Sequence, residues 1–170
     1  MAGSALDALA RFTRAVNRVF TVAGGAIALF IVVLIVQDVV RRYGFNDPTI
    51  WALDLSSFLL LYLFFLALAP ALQAGTHVNV DMFLGIMPPR LRTFMPVVAH
   101  AAVLVFGVVF LDKLWEATVE AFEDDALAAT AMPMKLKWLY IVGPIGTAQF
   151  VLTAAVLLCL AWKARRDGAP

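Results

Sequence analysis

The residues best suited to chemistry in this chain are two acids and two guanidiniums placed where apolar runs meet. Asp38, Arg41 and Arg42 close one long apolar run and Asp54 opens the next, with only the polar turn Asn46-Asp47-Pro48 between them. Charges brought together at an interface of reduced dielectric pair with one another, so Asp54 is expected to pair with Arg41 or Arg42. Such a cluster would fix the register of a helical hairpin, and an ion or substrate site is the sharper alternative. His77 and Asp81 follow the second run in Gly75-Thr76-His77-Val78-Asn79-Val80-Asp81. A membrane haem needs two facing histidines, and His77 falls in a loop, which leaves His100 without a mate. Gln149 is the amide placed well inside an apolar run, where it is expected to make a helix–helix hydrogen bond. The acids from Glu116 to Asp125 read as a solvated helix face rather than a metal site. Cys159 is the only cysteine, which excludes an internal disulfide and a cysteine zinc site. Ser-His-Asp, HExxH, CxxC, Walker and GxGxxG arrangements are absent from the sequence. No catalytic residue, cofactor or metal ligand is therefore expected, and the chain does not read as an enzyme.

The elements that carry these residues are apolar helices. The 170 residues are 63% hydrophobic and 15% charged, with mean hydropathy +0.90, whereas a soluble domain carries about 25% charge. The net charge of +1 gives no field for nucleic acid. The central run, from Ile50 to Leu72, would be about 34 Å long as a helix, enough to cross a hydrocarbon layer of roughly 30 Å. Three further runs bring the expectation to four transmembrane helices at about 19–40, 50–72, 94–111 and 138–162, in a single all-α integral membrane domain over 1–170. The first run is too long for the apolar core of a secretory leader.

Around these spans the pattern predicts three embellishments. Leu6, Leu9, Thr13 and Val16 opposite Arg11, Arg14 and Arg18, after a Ser4–Asp7 capping pair, predict a short amphipathic helix in the membrane interface. Gly24, Gly25 and Ala28 make a small-residue face on span one. Leu111, Trp115, Val119 and Phe122 continue the helical period of span three, which predicts a long third helix projecting from the membrane. The segment from Ala74 to Arg92 is too polar to cross and reads as re-entrant or interfacial. In span four, Pro144 predicts a kink.

Charge sets the expected sidedness. Arg11, Arg14, Arg18, Arg90, Arg92, Lys163, Arg165 and Arg166 lie on the side of the termini; Arg41, Arg42, Lys113, Lys135 and Lys137 lie on the other, which accounts for all 13 basic residues. The excess places both termini in the cytoplasm. Trp51, Trp115 and Trp138 then mark the outer interface and Trp162 the inner one.

Three ordered motifs carry a family resemblance. Arg42-Tyr43-Gly44-Phe45-Asn46, Trp51-Ala52-Leu53-Asp54-Leu55-Ser56 and Gly75-Thr76-His77-Val78-Asn79-Val80-Asp81, followed by Pro88, Arg90, Arg92, Met132-Pro133, Trp138, Tyr140 and Pro144-Ile145-Gly146, resemble the small membrane subunit (DctQ type) of tripartite ATP-independent periplasmic (TRAP) transporters. The resemblance covers about residues 35–150. It departs at Asp54, where the family commonly has Glu. It implies a bacterial inner-membrane protein that scaffolds a large elevator-type subunit in a secondary, ion-gradient-driven importer of organic acids or similar solutes. It also implies a periplasmic substrate-binding protein as a further partner. The competing class is a four-helix anchor of a redox or other membrane enzyme, which the lack of paired histidines disfavours.

Overall fold

Residues 2–47, 49–75 and 89–166 are described in a computed structural model, with side chains from 5–47, 49–75 and 94–166. The described elements are α1 (Ala2–Gly44), α2 (Ile50–Gln73), α3 (Pro89–Glu123), the short α4 (Leu136–Tyr140) and α5 (Val142–Arg166). Among the described residues, four helical stretches, with α4 and α5 together forming the last, are long and apolar enough to cross a membrane. The re-entrant reading of 74–92, with His77 and Asp81, falls mostly outside the described residues.

The helices pack in the spatial order α1, α2, α5, α3, with α1 also touching α5. This order leaves much of α1 and α3 facing outward. Val22, Leu29, Val33 and Val36 on α1, and Val105 and Phe106 on α3, are exposed. In water such surface would be a liability; in hydrocarbon it is the expected solvent-facing side.

The basic N-terminal segment is helical, as its period predicts, and continues without a break into the first span as one 43-residue helix, about 65 Å long. Its inward face differs from the Leu6–Leu9–Val16 stripe of the sequence reading. Ala10, Thr13 and Asn17 are the buried residues, and Leu9 and Phe12 are exposed, because the segment packs on α5 as well as meeting lipid or water.

The third helix is long, at 35 residues, or about 52 Å. Its contact stripe is offset from Leu111, Trp115, Val119 and Phe122. Trp115 and Phe122 are exposed, while Thr118 and Ala121 are buried. Leu114 lies over Gly143 of α5.

Pro144 acts earlier in the chain than its own position. It has no N–H for the carbonyl of Tyr140, four residues back, and the helix is interrupted at Ile141. The Thr118 hydroxyl reaches that carbonyl from α3 at 3.4 Å. The Tyr62 hydroxyl of α2 donates to the neighbouring carbonyl of Trp138. Carbonyls loosened by the break are thus met by side chains of adjacent helices, as the membrane interior requires.

The tightest approach is between α2 and α5. A Cβ built on Gly146 would lie 2.4 Å from the carbonyl oxygen of Phe65 and 2.8 Å from its carbonyl carbon. Only glycine lets these backbones touch. On α1, Gly24 plays a milder part, since its Cβ would lie 3.3 Å from Leu63 Cδ1, while Gly25 has nothing within 4 Å. The small-residue face of span one therefore contacts α2 at Gly24 and not at Gly25.

Gly146→Ala should force α2 and α5 apart and destabilise the protein by about 1–3 kcal/mol, the usual range for overpacking. Gly25→Ala should be neutral or slightly stabilising, because alanine has the better helix propensity by up to about 1 kcal/mol. Thermal unfolding in detergent, followed by size-exclusion chromatography, checks the pair; an unchanged Gly146→Ala midpoint would contradict the backbone contact.

Candidate functional site

The α1–α2 turn is closed by its own charges. Asp38 Oδ1 accepts the backbone N–H of Thr49 at 3.1 Å and also its hydroxyl, and Asp38 Oδ2 accepts Arg42 Nη2 at 2.7 Å. Thr49 is the N-cap residue of α2 and makes no side-chain cap bond of its own. An acid at the end of α1 thus satisfies the start of α2, where backbone donors are orphaned. Arg41 pairs with Asp47, and its carbonyl accepts the N–H groups of Phe45 and Asp47, each at 3.1 Å. Asn46 sits between them at φ 52°, a left-handed conformation that asparagine tolerates better than most residues. Two acid–arginine pairs therefore close this turn, Asp38 with Arg42 as a member of the expected cluster and Asp47 with Arg41.

Asp54 is not in that cluster, which corrects the expected pairing with Arg41 or Arg42. Its Oδ2 accepts the backbone N–H of Met132 at 3.0 Å. The reason is positional: Asp54 is a full helical turn beyond the cap, and both arginines already have nearer acids. Asp54 instead holds the 124–135 loop, which folds back on itself through a bridge between Leu127 and Lys135. Ala128 N–H to Met134 O at 2.8 Å and Leu136 N–H to Ala126 O at 2.9 Å close that loop. At its base Asp125, at φ 42°, accepts Lys135 Nζ and Lys137 Nζ, each at 2.7 Å. Lys137 also lies 5.9 Å over the ring of Phe122. Trp51, half exposed, stands at the start of α2 on this same end of the bundle.

A second cluster lies between helices toward the terminal end. Gln149 Nε2 donates to Asn17 Oδ1 at 2.8 Å and reaches the carbonyl of Thr13 at 3.4 Å. Asn17 Nδ2 donates to Gln73 Oε1 at 2.6 Å and to Thr153 Oγ1 at 3.3 Å. Thr153 Oγ1 in turn donates to the Gln149 carbonyl at 2.8 Å. Asn17, Gln149 and Thr153 are buried. Gln149 thus makes the helix–helix bond expected of it; Gln73, Thr153 and, at the centre, Asn17 were missed by the sequence reading. The only prior signal of Asn17 was an amide among arginines on the basic segment. This network ties α1, α2 and α5 with neutral groups, which carry no ionic desolvation cost.

His100 Nδ1 donates to the carbonyl of Pro96 at 2.6 Å, a bond within its own helix. Among the described residues, no group of three or more His, Cys, Asp or Glu side chains is arranged to hold a metal ion.

These elements define an all-helical, multi-pass membrane protein whose polar groups join helix to helix and loop to helix. The chain belongs to the DctQ component family of tripartite ATP-independent periplasmic transporters, whose profile matches residues 31–164. Members of that family are transporter components, not enzymes, and the chain is accordingly a multi-pass protein of the inner membrane. It is 32% identical over 78 residues to the C4-dicarboxylate TRAP transporter small permease protein DctQ of Vibrio cholerae, covering 46% of this chain and 34% of that protein. It is 31% identical over 64 residues to the sialic acid TRAP transporter small permease protein SiaQ of the same organism, covering 38% and 37%. The sialic acid TRAP transporter permease protein SiaT of Haemophilus influenzae is 24% identical over 131 residues, covering 76% of this chain and 21% of that protein. The chain thus spans between 21% and 37% of the length of these relatives.

Two predictions test the outer end. Asp54→Ala should leave the Met132 N–H without its acceptor and speed its amide hydrogen exchange, with a local loss of about 1–3 kcal/mol. Asp54→Asn, which keeps an acceptor, should fall between. Exchange at Met132 that matches wild type in Asp54→Ala would show that the loop is held otherwise.

The second concerns acid. Hydrogen bonds from Lys135 and then Lys137 hold the Asp125 carboxyl down from 3.8 to about 2. A folded value below the unfolded one means that the contribution is fully present above about pH 4 and is lost as pH falls through about 2. Between pH 5 and 2, amide exchange at Leu136 and Ala128, corrected for intrinsic rate, should therefore rise. In Asp125→Asn it should already be raised at pH 5 and change less. A flat profile in the wild type would separate Asp125 from loop order.

Proposed function

We propose that this chain is the small, static subunit of a secondary importer for carboxylate-bearing solutes, with both termini in the cytoplasm. Its role is to scaffold a large transport subunit and to help dock a periplasmic binding protein. The observation that carries the scaffold role is the use of its buried polar groups. Asn17, Gln149, Thr153 and Thr13 bond across helices or to their own backbone, and the acids and bases of the described ion pairs lie in the last turns of α1, in the last third of α3, or in and beside the turn and loop at that end. A subunit that moves charge would need ionisable groups facing a path at mid-depth. The long exposed apolar faces of α1 and α3 supply area for a partner within the membrane. The Haemophilus relative supports a physical association, since its single chain contains a segment similar to this one within a much longer permease. The solute class follows the relatives' names, C4-dicarboxylate and sialic acid, both of which bear carboxylates. Coupling to an ion gradient fits a family that is ATP-independent. The loop held by Asp54, on the side opposite the termini, is the surface we assign to the binding protein.

Deleting this chain should abolish uptake, a large polytopic protein should co-purify with it, and liposomes holding this chain alone should carry no solute or ion flux. Flux from the isolated chain would overturn the scaffold reading. Reporter fusions at Gly168 and Asp125 check the sidedness, with cytoplasmic activity expected at the first and periplasmic activity at the second.

A further inference from the structure

The outer third of α3 carries an apolar stripe that the described residues leave largely uncovered. Trp115, Val119 and Phe122, at steps of four and three residues, are 62%, 40% and 47% exposed, while Thr118 and Ala121 on the inward side are buried. Phe122 stands ten residues past Asp112, with Glu116 and Glu120 between them, which is about 15 Å along the helix. Carboxylates at that density keep this length of helix out of hydrocarbon. Its apolar stripe therefore meets water, where exposed apolar surface marks a contact.

Acids border the stripe along one edge. At about 100° per residue, Asp112, Glu116 and Glu123 fall beside it and Glu120 lies further round. The bases at this end of the bundle are already engaged. Arg41 and Arg42 pair with Asp47 and Asp38, Lys113 pairs with Glu116, and Lys135 and Lys137 both go to Asp125. Glu120, Glu123 and Asp124 are exposed, and no described Lys or Arg lies within 4 Å of them. They also stand where a carboxylate is disfavoured. The last turn of α3 is the negative end of its dipole, and it holds no basic residue. Glu120 faces Glu123 and Asp124 three and four residues on, spacings at which like charges repel. All three acids thus oppose local stability with no compensation among the described residues, which is the expected mark of a functional surface.

We propose that the outer end of α3 is an electrostatic docking edge for the periplasmic binding protein, which meets it with a basic edge beside an apolar patch. This rests on the binding-protein role proposed above. The surface is continuous with the loop assigned to that role, since Asp125 at the loop base follows Asp124 directly. Charge complementarity selects the occupant. An anionic lipid surface repels three unpaired carboxylates, and a permanently bound membrane subunit is served by the apolar faces within the bilayer. A soluble partner that must arrive and leave gains most from unpaired rim charge, which raises the rate of association and loses its effect in salt. Trp115, Val119 and Phe122 supply the apolar contact once the charges have brought the partner in.

The full-length chain, in the complex with which it purifies, is placed in phosphatidylcholine nanodiscs and immobilised. The separately purified binding protein of the same transporter is passed over it at about 50 and about 500 mM sodium chloride, which bracket strong and weak screening. Association with wild type should slow by about tenfold or more at the higher salt. The triple variant Glu120→Gln, Glu123→Gln, Asp124→Asn should associate about tenfold more slowly at low salt, lose most of the salt dependence and dissociate at close to the wild-type rate. It should also unfold at or above the wild-type temperature, because the repulsion and the clash with the helix dipole are relieved. Phe122→Ala should instead speed dissociation and leave association near wild type. A triple variant that binds as fast and as salt-sensitively as wild type would overturn the proposal, and one that unfolds well below wild type would show the acids to be structural. If the wild-type complex captures no binding protein at either salt, the docking role itself fails and this edge with it. Wild-type binding that ignores both salt and the three acids leaves that role standing and removes this edge alone.

Discussion

The contact of Gly146 with the backbone of Phe65 is the constraint on which the rest of this bundle depends. It sets the separation of α2 and α5, the two helices in the middle of the packing order. With that separation fixed, Gln73 and Thr153 come within reach of a single amide on α1, and one asparagine can bond to both. In a membrane such bonds contribute modestly, averaging about 0.6 kcal/mol, so a network of this kind selects an arrangement more than it drives association. Close packing brings the backbones together and the amides specify which faces meet.

The same middle pair governs the outer end. Because α2 and α5 run side by side, the chain leaving α3 must return over the start of α2 before it can enter α5. Asp54 meets it there. The break at Ile141 separates α4 from α5, and Tyr62 and Thr118 meet carbonyls of α4 that face neighbouring helices. A hydroxyl on α2 and a hydroxyl on α3 thus meet carbonyls beside the break at Pro144, while the acid on α2 holds the loop before it.

Much of this was legible in the sequence because it depends on local composition. Long apolar runs, a proline in the last of them and a helical period that outlasts the third span require only neighbouring residues to be read. The contacts that position the clusters were less legible because each depends on a partner far along the chain. Gln149 announced a bond but not that Asn17 would make it, since Asn17 lies among arginines on a segment whose period also suits a separate surface helix. Asp54 announced a partner of some kind. The nearest charges in sequence were arginines, and a backbone N–H at Met132 carries no signature in the sequence at all. On α3 the period was right and the face was rotated, because exposed Trp115 and Phe122 are as apolar as the buried residues of a water-soluble helix. In lipid, hydrophobicity does not distinguish inside from outside.

The Asn17–Gln149 bond also has a consequence for the surrounding bilayer. Asn17 lies just below the charge-free apolar run of α1, which extends from Val19 upward, whereas Gln149 and Thr153 lie well within α5, with apolar residues continuing below them to Trp162. The two greasy bands are therefore out of step along the bundle axis by several helical turns. A flat slab set square to that axis cannot wet both, so hydrophobic matching inclines the bundle or thins the leaflet beside it. The inclination would be built into the protein's own register, and anything that docks along α1 would inherit a slanted frame, steeper or shallower as the thickness of the host membrane changes.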